Sequence, residues 1–182
     1  TSNTAAFNNP DALVARDVVQ VSVNHRLGPF GYIAHPDLSA ESGYGGSGNY
    51  GQMDLVMALQ WIQDNINAFG GDPDNVTIFG QSGGGGKVYS LMNSPQAIGL
   101  FHKAIVMSGF APMDTDSVPA DSLAESEAIG TALFDRVGVD SLEEARLLPW
   151  TAFTDADAEN NIPRQTYRPN ADYYYQPKTY YQ

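Results

Sequence analysis

Ser82 is the residue through which this chain could do covalent chemistry. It stands in Gly80-Gln81-Ser82-Gly83-Gly84, a G-x-S-x-G pattern, and a serine hydroxyl lifted on a tight turn is suited to attack a carbonyl carbon. What flanks the pattern decides its meaning. Val76, Thr77, Ile78 and Phe79 are β-prone and stop at Gly80, whereas Lys87, Val88, Tyr89, Leu91 and Met92 suit a helix. Strand, sharp turn and helix would place Ser82 at the tip of the turn. Gly80 and Gly84, two residues to either side, remove side chains expected to collide with neighbouring backbone in so tight a bend. The free N–H groups and positive dipole end of the helix would then point at the place where an oxyanion forms. A phosphate cradle fits less well. G-x-x-x-x-G-K-[ST] fails at Gln81, where its first glycine should be, and at Val88, where it needs Ser or Thr. In a chain with 18 glycines the bare pattern could arise by chance; its strand and helix context favours the nucleophile.

The elements that must hold this serine can be followed along the chain. Asn9-Pro10-Asp11 reads as a helix start, with Asn9 the cap and Pro10 at the first helical position, reaching about Arg16. Val18 to Asn24 is rich in β-branched residues and reads as a strand. Arg26 to Gly48 reads as a long loop, broken by Gly28-Pro29 and His35-Pro36 and ending in a Gly/Ser-rich tip; loops of this length usually serve or cover a site. Tyr50 to Phe69 is the longest helical stretch, stopped by Gly70-Gly71. Its apolar residues (Met53, Val56, Met57, Leu59, Trp61, Ile62, Ile66, Phe69) cover more than one face, so it is expected to be mostly buried. Asp72 to Asn75 turns the chain into the serine strand, Asn93-Ser94-Pro95 breaks the following helix, and Lys103 to Met107 is a third strand. Alternating strands and helices predict an α/β fold with a mostly parallel sheet and helices on both faces. A Pro/Asp/Ser-rich connector, Ala111 to Ala120, precedes helices at about Ser122 to Val137 and Ser141 to Leu148; Tyr167 to Tyr181 is tyrosine-rich without periodicity.

Composition narrows the classes. At 182 residues the chain is long enough for one domain with a sizeable core. A net charge of −12 argues against nucleic acid or an anionic membrane as partner, since the phosphates would repel it. With no cysteine there is no disulfide framework, thiolate metal site or cysteine nucleophile. No apolar run is long enough for a membrane span. The start, Thr1-Ser2-Asn3-Thr4, is neither a signal peptide nor a start methionine, so the chain is expected to be part of a longer one.

Several segments in order resemble the type-B carboxylesterase/lipase family, the cholinesterase-like α/β-hydrolases. They are Asn24 to Gly31 (NHRLGPFG), Gly48 to Asp54 (GNYGQMD), Ala58 to Ile66 (ALQWIQDNI), Phe69 to Gly80 (FGGDPDNVTIFG) and Gly99 to Ile105 (GLFHKAI). The resemblance is dense from about Val18 to Gly109 and thin afterwards. It implies an α/β-hydrolase fold, with residues 1–110 a partial core carrying the serine turn and residues 111–182 a helical and irregular segment of the same domain. It makes Ser82 the acyl-forming nucleophile and the N–H of Gly83 one oxyanion donor, and it implies no metal and no organic cofactor. The family usually has Glu before its serine and Ala after it. Gln81 removes that negative charge, which argues against a preference for cationic esters such as choline esters, while Gly83 keeps its N–H.

Family enzymes are much longer, so the remainder of the parent enzyme is the implied partner and a carboxylic ester the implied substrate. The family places its His-Gly-Gly oxyanion loop ahead of the region matched here, and its acid and histidine after it. The order serine, acid, histidine excludes His25 and His35, which precede Ser82, and His102, which follows too closely. Arg26 and Asp54 match a pair that forms a buried salt bridge in the family. Ser108, in Met107-Ser108-Gly109, stands where it could support the acid. The implied activity is serine ester hydrolysis, with the chain alone inactive for want of acid and histidine. The alternative is a non-catalytic binding domain, as in family relatives that have lost their serine.

Overall fold

Strand formation centres on the turn Asp72 to Asn75. The Asp72 carboxylate accepts the Asp74 N–H at 2.9 Å and closes a short 3₁₀ turn, Pro73–Asn75, that feeds β1 (Thr77–Gln81). In this computed structural model, residues 10–109, 121–163 and 166–177 are described. β1 pairs in parallel with β2 (Lys103–Met107), Thr77 opposite Lys103 and Gln81 opposite Met107. Because a parallel pair cannot be joined by a hairpin, the chain crosses over through a helix, here the one spanning Gly83–Asn93. Ser94 then caps a 3₁₀ turn at Pro95–Ala97 by accepting the Gln96 N–H. The β-α-β expectation around Ser82 is met.

The remaining helices are α1 (Asp11–Val14), α2 (Gly28–Tyr32), α3 (Pro36–Glu41) and α4 (Tyr50–Asn65) ahead of α5 (Gly83–Asn93), then α6 (Leu123–Val137), α7 (Leu142–Leu147) and α8 (Trp150–Glu159). The described residues fall into two compact units, one drawn from Thr1–His25 and Gln52–Met113, the other from Arg26–Gly51 and Asp114–Gln182. The first unit's core joins Leu59, Ile62 and Ile66 to Leu91 of α5 and Ala97, with Val76, Ile78, Leu100 and Phe101 packed against them. In the second, Leu133 and Phe134 of α6 are buried, Leu133 among Tyr32 and Tyr167, Phe134 with Val139 and Ala145. A two-residue parallel ladder there pairs β3 (Asp121–Ser122) with β4 (Asn170–Ala171). α6 starts on a capping box, in which Ser122 and Glu125 satisfy each other's backbone N–H groups. Among the described residues no helix is long and apolar enough to cross a membrane.

Four expectations need correction. Val18 to Asn24 forms no strand; a strand exists only when paired, no described strand lies beside it, and Val18, Val19 and Val21 stay 40–44% exposed. The long loop from Arg26 contains α2 and α3, because Pro29 and Pro36 lie at first-turn positions where proline favours a helix. His35 caps α3, its Nδ1 accepting the Asp37 N–H at 3.2 Å. α1 stops at Val14, short of Arg16, and Pro10 occupies its cap position; Asn9 lies outside the described residues, as does the connector 111–120. The long helix is buried on one face only: Met57, Trp61 and Phe69 are exposed, Trp61 and Phe69 packing their rings 5.7 Å apart. Its last turn tightens to a 3₁₀ turn, Ile66–Phe69, that ends where expected, on Gly70 with φ 80°.

Two parallel strands are few for a sheet that needs cover on both faces and partners at its edges. Ile105 is 51% exposed, Phe79 40% and Val106 38%. Each large apolar side chain left in water forgoes up to about 1.5–3 kcal/mol of burial. Residues 1–182 expressed alone should therefore bind a hydrophobic dye and melt without a cooperative transition in calorimetry. A sharp melt without dye binding would contradict this.

Candidate functional site

Ser82 takes φ 53° and ψ −120°, a backbone state that L residues rarely adopt and that costs on the order of 1–3 kcal/mol. Two backbone bonds hold it there. Its N–H donates to the Met107 carbonyl at 2.9 Å, and its carbonyl accepts the Gly86 N–H at 3.0 Å. The residue is the N-cap of α5, yet its side chain makes no capping bond. Ser82 is exposed at the end of β1, and its hydroxyl makes no hydrogen bond among the described residues. Among the described residues the N–H of Gly83 meets no acceptor, as the first turn of a helix requires. Among the described residues Ser82 thus carries an unbonded hydroxyl beside an unbonded N–H.

The glycines divide the work differently from expectation. A Cβ on Gly80 would run into the carbonyl of Gly84 and lie 3.0 Å from its Cα, so the strand and the first turn of α5 touch backbone to backbone. A Cβ on Gly84 would meet nothing within 4 Å among the described residues. The collision expected at both positions falls on Gly80; Gly84 matters as the backbone that Gly80 must clear. A second close approach was not foreseen. A Cβ on Gly85 would lie 2.7 Å from the Gly109 Cα, and one on Gly109 would lie 2.6 Å from the Gly85 Cα. The run Gly83 to Gly86 and the Ser108-Gly109 step after β2 were the available signals. Together the two contacts press α5 onto the strand ends.

Gln81 ends β1 opposite Met107 and is exposed. Ser108 follows with φ 45°, also exposed, next to the residue whose carbonyl holds the Ser82 N–H. Lys87, one turn into α5, reaches back so that its Nζ donates to the Gly83 carbonyl at 3.2 Å. Burial pulls its ammonium below the usual lysine range. Arg26 lies elsewhere in the chain, its guanidinium 5.5 Å from the centre of the Tyr50 ring, and Asp54 is half-buried on α4. His102 sits at the opposite end of the ladder. Its Nδ1 accepts the Val76 N–H at 3.2 Å, and the strand between Val76 and Ser82 spans roughly 20 Å, so it cannot serve Ser82. The His35 ring is buried and stacked on Phe134 at 4.0 Å. Among the described residues no group of three or more His, Asp or Glu could hold a metal ion.

This geometry has relatives. The carboxylesterase family model matches residues 1–168. A fumonisin B1 esterase from Sphingopyxis macrogoltabida is 43% identical over 133 residues, covering 72% of this chain and 24% of the relative. A para-nitrobenzyl esterase from Bacillus subtilis is 44% identical over 115 residues, covering 63% and 23%. The crystal structure of a Geobacillus stearothermophilus carboxylesterase superposes with a TM-score of 0.81 at 34% identity, over 98% of this chain and 38% of that one. The chain belongs to the carboxylesterase family, and its fold is that of the α/β-hydrolase carboxylesterases. It spans about a quarter of the length of the curated relatives it matches.

Proposed function

We propose that this chain is the nucleophile-bearing part of a longer serine carboxylesterase, the full-length enzyme, in which Ser82 forms the acyl-enzyme. The supporting observation is the strained, uncapped, exposed Ser82 on a strand-to-helix turn in a chain of this family. A histidine base from elsewhere in the full-length enzyme takes the Ser82 proton as Oγ attacks the ester carbonyl carbon. The negative charge that develops on the carbonyl oxygen is met by the N–H of Gly83 and by further donors outside the chain. Collapse of this intermediate expels the alcohol, which receives the proton from the histidine. Water then attacks the acyl-Ser82 carbonyl and releases the acid, restoring the hydroxyl. Gly80, Gly84 and the Met107 carbonyl act only by fixing where Oγ stands, and Gln81 leaves the turn without a carboxylate.

Pre-steady-state mixing of the full-length enzyme with p-nitrophenyl acetate tests the reading. Acyl-enzyme formation should release a burst of nitrophenol close to one equivalent per active site before the slower steady state. Turnover with no covalent acetyl-enzyme trapped by acid quench would contradict it, as would binding of esters without hydrolysis, the outcome expected of a non-catalytic binding domain.

A further inference from the structure

Between Asp74 and Lys103 the chain carries one charged side chain, Lys87, within a protein of net charge −12. Lys103 lies at the far end of the ladder, where its Nζ donates to Asn75 Oδ1 at 2.5 Å. Among the described residues the strand ends and turn around Ser82 therefore hold a single formal charge, and it is positive. Physically the position is a poor one for a cation. The side chain is half-buried, and burial disfavours its charged form. Among the described residues no carboxylate lies within ion-pair distance of it. Among the described residues its only hydrogen bond is to the Gly83 carbonyl, and its Nζ lies 3.9 Å from where a Gly83 Cβ would stand. A residue that costs stability in this way is expected to be kept for what it does to a ligand.

The ammonium is bound to the same residue whose N–H is offered to the oxyanion. Adding one residue's backbone and a hydrogen bond on each side puts it within about 10 Å of the ester oxygen. That is about one Debye length at moderate ionic strength, so the charge is felt there and added salt weakens it. Resting on the assignment of Ser82 as nucleophile, we propose that Lys87 is a specificity-determining residue that favours esters bearing a carboxylate near the scissile bond over neutral or cationic ones. Gln81 cooperates by being neutral, so nothing at the turn opposes an anionic substrate.

The test compares two aryl esters of matched length, p-nitrophenyl hemisuccinate and p-nitrophenyl butyrate, on the full-length enzyme. The readout is the ratio of their kcat/KM values. Lys87→Met, which keeps the length of the side chain, should lower the hemisuccinate-to-butyrate ratio about tenfold. Lys87→Arg should largely preserve it, and raising salt should erode the ratio in the parent and not in Lys87→Met. A ratio that is unchanged in Lys87→Met, or lowered equally in Lys87→Arg, would overturn the proposal. If Lys87→Met fails to fold, a salt-independent ratio in the parent overturns it by itself. Ser82→Ala separates the two claims. Loss of both activities in that variant with an unchanged ratio in Lys87→Met sinks only the role of Lys87, whereas turnover of both esters by Ser82→Ala sinks the reading beneath it.

Discussion

The Ser82→Ala substitution should lower kcat/KM of the full-length enzyme for p-nitrophenyl acetate by about 10⁴- to 10⁶-fold, while the protein melts at or slightly above the temperature of its parent. The two halves of this expectation have one origin. Removing Oγ removes the atom that forms the acyl bond, and no described serine stands in its place, since Ser108 only follows the residue holding the Ser82 backbone. The Ser82 side chain makes no capping bond, so its loss leaves no broken contact among the described residues. The positive φ of 53° remains, and alanine bears it about as poorly as serine. An inactive but unfolded variant would show that Ser82 supports the fold instead. A stable variant with ordinary turnover would remove it from the chemistry.

Gly80→Ala should be nearly as damaging, although position 80 bears no reacting group. Its Cβ would meet the carbonyl carbon and oxygen of Gly84. Backbone cannot rotate away as a flexible side chain can, so strand and helix must part. The same shift would move Ser82, whose N–H and carbonyl are tied to Met107 and Gly86. A displacement of about 1 Å commonly costs on the order of 100-fold in rate, and overpacking of this kind costs about 1–3 kcal/mol or more in stability. Gly84→Ala is the control, because its Cβ enters open space among the described residues. Side-by-side assays and melts of the two variants should show the first crippled and the second close to the parent. Equal losses in both would mean that the turn tolerates or rejects side chains for another reason.

The serine turn was legible because everything that makes it is local: a β-prone run, a glycine, a serine, more glycines and a helix-forming run within a dozen residues. The parallel partner Lys103–Met107 was legible for the same reason, as was the Gly70 stop of the long helix. Contacts between distant residues were not. Gly85 and Gly109 stand 24 positions apart, and although each lies in a glycine-bearing stretch, neither stretch says which backbone it will touch. Val18 to Asn24 failed in the opposite direction. Its β-branched residues satisfy propensity, but pairing decides a strand, and no described strand lies beside it. Proline is ambiguous at Pro29 and Pro36, since the Gly-Pro and His-Pro pairs that suggest a loop also suit the first turn of a helix, which is what they open. α8 was overlooked because only Pro149, its cap residue, marks the start. The long helix departs from its pattern at Trp61 and Met57, which are large and apolar yet exposed among the described residues.

The most direct test of the central claim is covalent. Treating the full-length enzyme with a fluorophosphonate and mapping the adduct by peptide mass spectrometry should place one label on Ser82, with loss of ester hydrolysis in proportion to labelling. An adduct on another residue that abolishes turnover while Ser82 stays unmodified would contradict the account, because the strained turn would then position a serine that does no chemistry.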